Sequence, residues 1–230
     1  MWALGKSTAK AHDVFIKHAK GWELLCDCLD TFKNDRPTLS TLCGIVKDLV
    51  FGKGGLCRMS SCCDPNHGSH RVLVKLLGLL RLCTRDFTHS DTGLIATLLT
   101  TLRSMARLSS NARFIVEQGD IATIFLVIDL CLSTFTQHLL LIDRACLTIE
   151  SLCSNSRANK DEDNNNNHGI SKNNVAQLFR LVRCLTKHYS AHNNAKEGAY
   201  TIETTTSAMA VLCRVVIKDK SQISKTNLSG

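Results

Sequence analysis

The stretch that decides the fold is Ser110–Cys131, SNARFIVEQGDIATIFLVIDLC. It holds a short apolar segment, a Gln-Gly turn and a longer apolar segment. The same pattern lies upstream at Ala11–Phe32, AHDVFIKHAKGWELLCDCLDTF. Phe15-Ile16 aligns with Phe114-Ile115, Trp22 with Ile121, Leu25 with Ile124, Cys28 with Val127 and Leu29 with Ile128, all at an offset of 99 residues. Two units of about 42 residues and an insertion of about 15 account for that offset. The insertion is visible at Gly52–Gly68, GKGGLCRMSSCCDPNHG, which has no helical period.

Leucine-rich stripes fill the chain between these points. Leu73, Leu76, Leu77 and Leu80 fall at i, i+3, i+4 and i+7, as do Ile95, Leu98, Leu99 and Leu102. Ile142, Ala145, Ile149 and Leu152 form another stripe, and Leu178, Leu181, Val182 and Leu185 a fourth. Each predicts one apolar face of an amphipathic helix. None is long enough for a continuous coiled coil. Short helices recurring every forty-odd residues predict a stacked helical repeat.

Composition agrees. Of the 230 residues, 44% are hydrophobic and 21% charged, which is globular rather than disordered. Two prolines and thirteen glycines supply too little turn punctuation for an all-β fold. The twelve cysteines fall largely inside apolar helical patterns, where a free thiol packs as a small hydrophobe. With no apolar leader in Met1–Lys10, they predict a reducing compartment: cytoplasmic, with the nucleus as alternative. Ile121–Ile142 is mostly apolar, but Asp129 sits near its centre and Ser133–Thr136 reads as a break, so no membrane span is expected.

At Arg113–Ile121, RFIVEQGDI, the chain resembles the turn between the first and second helices of the armadillo repeat. Met1–Leu4, Leu98–Leu108 (LLTTLRSMARL) and Ala145–Asn155 (ACLTIESLCSN) resemble that family's third helix. The resemblance implies an all-α, right-handed armadillo-type solenoid over residues 1–218, with about four repeats after a partial N-terminal one. The repeats are expected at Ala11–Phe51, Ser69–Leu108, Ser110–Asn155 and Val175–Lys218, with the first helix of the second repeat replaced or displaced by the insertion at 52–68. A chain that starts inside a repeat is expected to be a fragment. The Asn-rich stretch 154–174 is expected to be a mobile loop, and 219–230 a fraying tail.

Catalytic motifs are missing from the sequence. There is no G-x-S-x-G, H-E-x-x-H or G-x-G-x-x-G, and the GKST at 5–8 lacks the strand and upstream glycine of a phosphate loop. Cys26 and Cys28, two residues apart on a helix, do not share a face and are not a redox pair. Cys57, Cys62, Cys63, His67 and His70 are of zinc-ligand type, but their C-x4-C-C-x3-H-x2-H spacing matches no common zinc framework. No metal and no cofactor is expected, and the protein is not expected to be an enzyme.

The resemblance implies a concave groove lined by third helices, along which partners lie as extended segments. The polar residues on those helices are Lys47, Arg103, Arg107, Arg144, Glu150 and Arg214. With a net charge of +8, a mostly basic set fits an acidic protein segment, the guanidinium fork matching carboxylates. The Trp–Asn pairs of nuclear-import members are missing: Trp2 is followed by Lys6. The expected function is a protein-interaction scaffold. The alternative is a nucleic-acid-binding repeat using the same basic residues, disfavoured by few aromatics and no regular code of side chains.

Overall fold

Gly119 closes a helix in the left-handed region, with φ of 75°. Its N–H donates to the Val116 carbonyl at 3.1 Å, and the chain re-enters a helix at Asp120. This is the reversal expected from the Gln-Gly pair. The computed structural model describes residues 14–15, 20–51, 68–88, 91–132, 138–155, 178–184 and 210, and every regular element among them is helical.

The helices with described bounds run in order α1 (Gly21–Thr31), α2 (Arg36–Phe51), α3 (Gly68–Arg85), α4 (Thr92–Met105), α5 (Ser109–Glu117), α6 (Asp120–Leu132) and α7 (Leu139–Asn155), and residues 178–184 are helical as well. Asp35 starts α2 by accepting the Thr38 N–H at 3.3 Å and its hydroxyl at 2.6 Å, while Pro37 sits in the first turn, where a missing N–H costs nothing. The apolar run from Ile121 is divided. Its first part is α6, and the chain resumes as α7 at Leu139. No helix among the described residues is long and apolar enough to cross a membrane.

The predicted stripes form the core. Leu73, Leu76, Leu80, Ile95, Leu98, Leu99 and Leu102 are fully buried, as are Ile142, Ala145, Ile149, Leu152, Leu178 and Leu181. Each large aliphatic side chain contributes about 1.5–3 kcal/mol on burial. The helices pack as two rows. α1, α3 and α6 touch in succession, and so do α2, α4 and α7. The first row is tied by ion pairs between neighbours: Lys75 to Asp30 at 2.5 Å, and Arg81 to Asp120 through two bonds of 2.6 and 2.9 Å. Burial raises the Asp120 carboxyl above its ordinary range, and the Arg81 fork opposes that.

The second row is tied by threonines. Thr101 Oγ1, fully buried, lies 2.8 Å from the Thr97 carbonyl of its own helix and 3.2 Å from the Cys43 carbonyl of α2. Thr148 repeats this one helix on, at 2.7 Å from the Arg144 carbonyl and 3.1 Å from the Leu99 carbonyl of α4. One hydroxyl thus shares its hydrogen between its own helix and the preceding one, fixing the register of α2, α4 and α7.

The structure moves several expected boundaries. Gly68 begins α3 rather than ending the insertion, and Ser154 and Asn155 belong to α7 rather than to the Asn-rich loop. The rest of the expected insertion, the rest of that loop, the expected fourth repeat apart from residues 178–184 and 210, and the expected tail lie outside the described residues.

Candidate functional site

Where α4 and α7 run side by side, their C-terminal halves enclose a concavity of about 480 Å³. Thr100, Arg103, Ser104 and Arg107 line one wall, one face of α4 continued past its end at Met105. Leu147, Glu150, Ser151, Ser154 and Asn155 line the other, one face of α7. The two walls are in register. Ser151 Oγ lies 3.5 Å from the Arg103 carbonyl, which places Glu150 and Ser151 beside the Arg103 turn.

Three of the expected groove residues, Arg103, Arg107 and Glu150, therefore meet at one place. Arg103 is half-buried and Arg107 exposed. Among the described residues neither makes an ion pair. Lys47 lies on the neighbouring α2, where its ammonium is 3.7 Å from Asp48. Arg144 is on α7 but does not line the concavity. Arg214 lies outside the described residues. The α2, α4 and α7 row thus carries cationic charge without an ion pair on α4, with Asp48 on the preceding helix and Glu150 on the following one.

The hydroxyls of the concavity were missed in the sequence reading, although their i, i+3, i+4, i+7 spacing with the arginines was visible. Their hydrogens are committed to backbone carbonyls. Thr100 Oγ1 donates to Ala96 at 2.8 Å, Ser104 Oγ to Thr100 at 2.7 Å and Ser154 Oγ to Glu150 at 2.8 Å. Ser151 Oγ also accepts from Asn155 Nδ2 at 3.2 Å. Such back-bonding leaves each oxygen facing the concavity as an acceptor. The charged donors are the two guanidiniums, and the Asn155 amide is a neutral one.

Of the Cys/His cluster, only His70 falls among the described residues. It lies in the first turn of α3 with its ring edge-on to Phe114, centroids 4.6 Å apart. Cys57, Cys62, Cys63 and His67 lie outside them. No group of metal-ligating side chains gathers among the described residues. Cys26 is buried in α1 and Cys28 half-buried. Burial pushes the Cys43 and Cys131 thiols up to about 12, and raises Cys146 with Asp143 adding to the effect. No family model matches the chain, and neither does any curated protein or solved structure.

Proposed function

We propose that the protein is a non-enzymatic interaction module, an armadillo-type solenoid of stacked helical repeats that holds an extended acidic segment of a partner protein against α4 and α7. The paired rows of helices and their recurring threonine bonds support the repeat reading. One observation carries the binding reading: Arg103 and Arg107, one turn apart in a concavity of about 480 Å³, have no ion pair among the described residues. Two guanidiniums so placed offer forked donors to carboxylates. They cost little to leave in water, so binding need not break an existing bond.

The reading is tested by fluorescence anisotropy with a labelled acidic peptide. Reversing both arginines (Arg103→Glu with Arg107→Glu) should weaken binding at least tenfold, mainly through slower association, and added salt should weaken it in the wild type. Unchanged affinity with an unchanged helical circular dichroism spectrum refutes the assignment.

A further inference from the structure

Just past the concavity the chain runs Arg107, Ser110, Arg113, each three residues from the next. Ser110 stands in the first turn of α5, half-buried, and its hydroxyl makes no hydrogen bond among the described residues. Arg113 is half-buried on the same helix. Its Nε is buried without a hydrogen-bond partner, and its guanidinium makes no ion pair among the described residues. Residues three apart are neighbours on a helix surface, and a helical side chain covers the turn before its own Cα, so Arg113 lies over the Ser110 turn. Arg107 flanks the same hydroxyl from the other side, since three residues of chain span at most about 11 Å. A serine without a partner thus sits between two unpaired guanidiniums, one of them with an orphaned buried donor.

We infer that Ser110 is a phosphorylation site that switches off binding in the concavity, a regulation that rests on the acidic-segment reading. The modifying enzyme is a protein kinase that reads the arginine three residues before its acceptor. The Ser110 oxygen attacks the γ-phosphorus of a nucleoside triphosphate, the hydroxyl proton passes to a base of the kinase, and the bond to the departing nucleoside diphosphate breaks. The phosphate brings a charge of about −1.5 to −2 and three acceptor oxygens. One oxygen satisfies the Arg113 Nε, and another takes the Arg107 fork in a charge-assisted bond. Arg107 lines the concavity, so its cation is then held within the chain. A partner carboxylate is left with Arg103 alone, beside a new anion. The hydroxyls inside the concavity are poorer acceptors of a phosphoryl group, because Thr100, Ser104 and Ser154 already donate to backbone carbonyls.

The test compares the full chain with and without a phosphate installed on Ser110 during synthesis, against a labelled polyglutamate peptide blocked at both ends. At about 150 mM salt the phosphate should weaken binding about tenfold, the scale of one lost charge-assisted bond. Phosphorus-31 NMR reads the pairing itself. The second ionisation of free phosphoserine lies at about 6, and in the folded chain its midpoint should fall clearly below that. Arg113→Ala should move it back up. A kinase with the stated arginine requirement should modify Ser110 in the folded chain, as read by mass spectrometry, and Ser110→Ala should remove the product. Binding that ignores the phosphate but is lost on reversing Arg103 and Arg107 overturns the switch and leaves the acidic-segment reading standing. A peptide that the unmodified chain does not bind, or binds regardless of that reversal, overturns both. A midpoint at the free value, a folded chain left unmodified at Ser110, or loss of the helical circular dichroism spectrum on phosphorylation also overturns the switch.

Discussion

Gly119 and Lys20 align at the 99-residue offset of the sequence, and both adopt positive φ, 75° and 47°. Only one of them is a glycine, which makes the pair a two-signed test of the alignment. A side chain in the left-handed region costs about 1–2 kcal/mol, because Cβ crowds the following carbonyl. A Cβ at Gly119 would meet no heavy atom within 4 Å, so Gly119→Ala carries backbone strain and no clash. Its reduced unfolded-state entropy returns about 0.4–1 kcal/mol, for a net loss of about 1 kcal/mol. Lys20→Gly runs the other way. Relief of strain exceeds the entropy cost of glycine, about 0.5–1 kcal/mol, and the lost Lys20–Glu23 pair at 3.9 Å is exposed and worth little. A net gain of about 0.5–1 kcal/mol is expected. Urea melts followed by circular dichroism at 222 nm, a standard helix wavelength, read both signs if the slope of the transition is unchanged. If Lys20→Gly destabilises by as much as Gly119→Ala, residue 20 is not left-handed and the repeat alignment fails. The neighbouring Gly21 is a separate case: a Cβ there would stand 2.6 Å from the Phe15 carbonyl oxygen, so Gly21→Ala should destabilise although Gly21 is helical.

Ile124→Asp places a carboxylate at a fully buried site of α6 and should cost more than about 4 kcal/mol; a melting temperature near wild type contradicts the core assignment. Thr148→Val should cost about 0.5–1.5 kcal/mol, since it removes one shared hydrogen and keeps the side-chain shape, and Thr101→Val should cost about the same; a cost confined to one of them breaks the recurrence of the register bond. Stability should fall as pH rises above 9, the ordinary thiol value, because unfolded cysteines release protons there while folded Cys43 and Cys131 hold theirs to about 12. Each such thiol contributes a slope of up to about 1.4 kcal/mol per pH unit, and Cys43→Ala with Cys131→Ala should flatten the decline seen in melts between pH 8 and 10, on the order of the linkage slope.

The stripes were legible in the sequence because burial repeats with the helix. Leu73 to Leu80 and Ile95 to Leu102 could face inward only together. Gly119 was legible because glycine announces a left-handed turn, whereas Lys20 was not, since a lysine carries no such mark. The ties between helices were hidden. Nothing local marks Arg81 as the partner of Asp120, or Thr148 as a donor to Leu99, because each depends on which helices become neighbours. The site was half legible for the same reason. Arg103 and Arg107 share a helix face by spacing alone. That Glu150 stands beside them and that Arg144 lies off the concavity follow from register between helices, which a single sequence does not encode in any short pattern.

The most direct test of the account is a two-dimensional amide NMR titration of the protein with a blocked acidic peptide. Perturbations confined to Thr100–Arg107 on α4 and Leu147–Asn155 on α7 are expected, with loss of the perturbations when Arg103 and Arg107 are reversed. Saturable shifts centred on the α1, α3 and α6 row, with α4 and α7 unmoved, would contradict it.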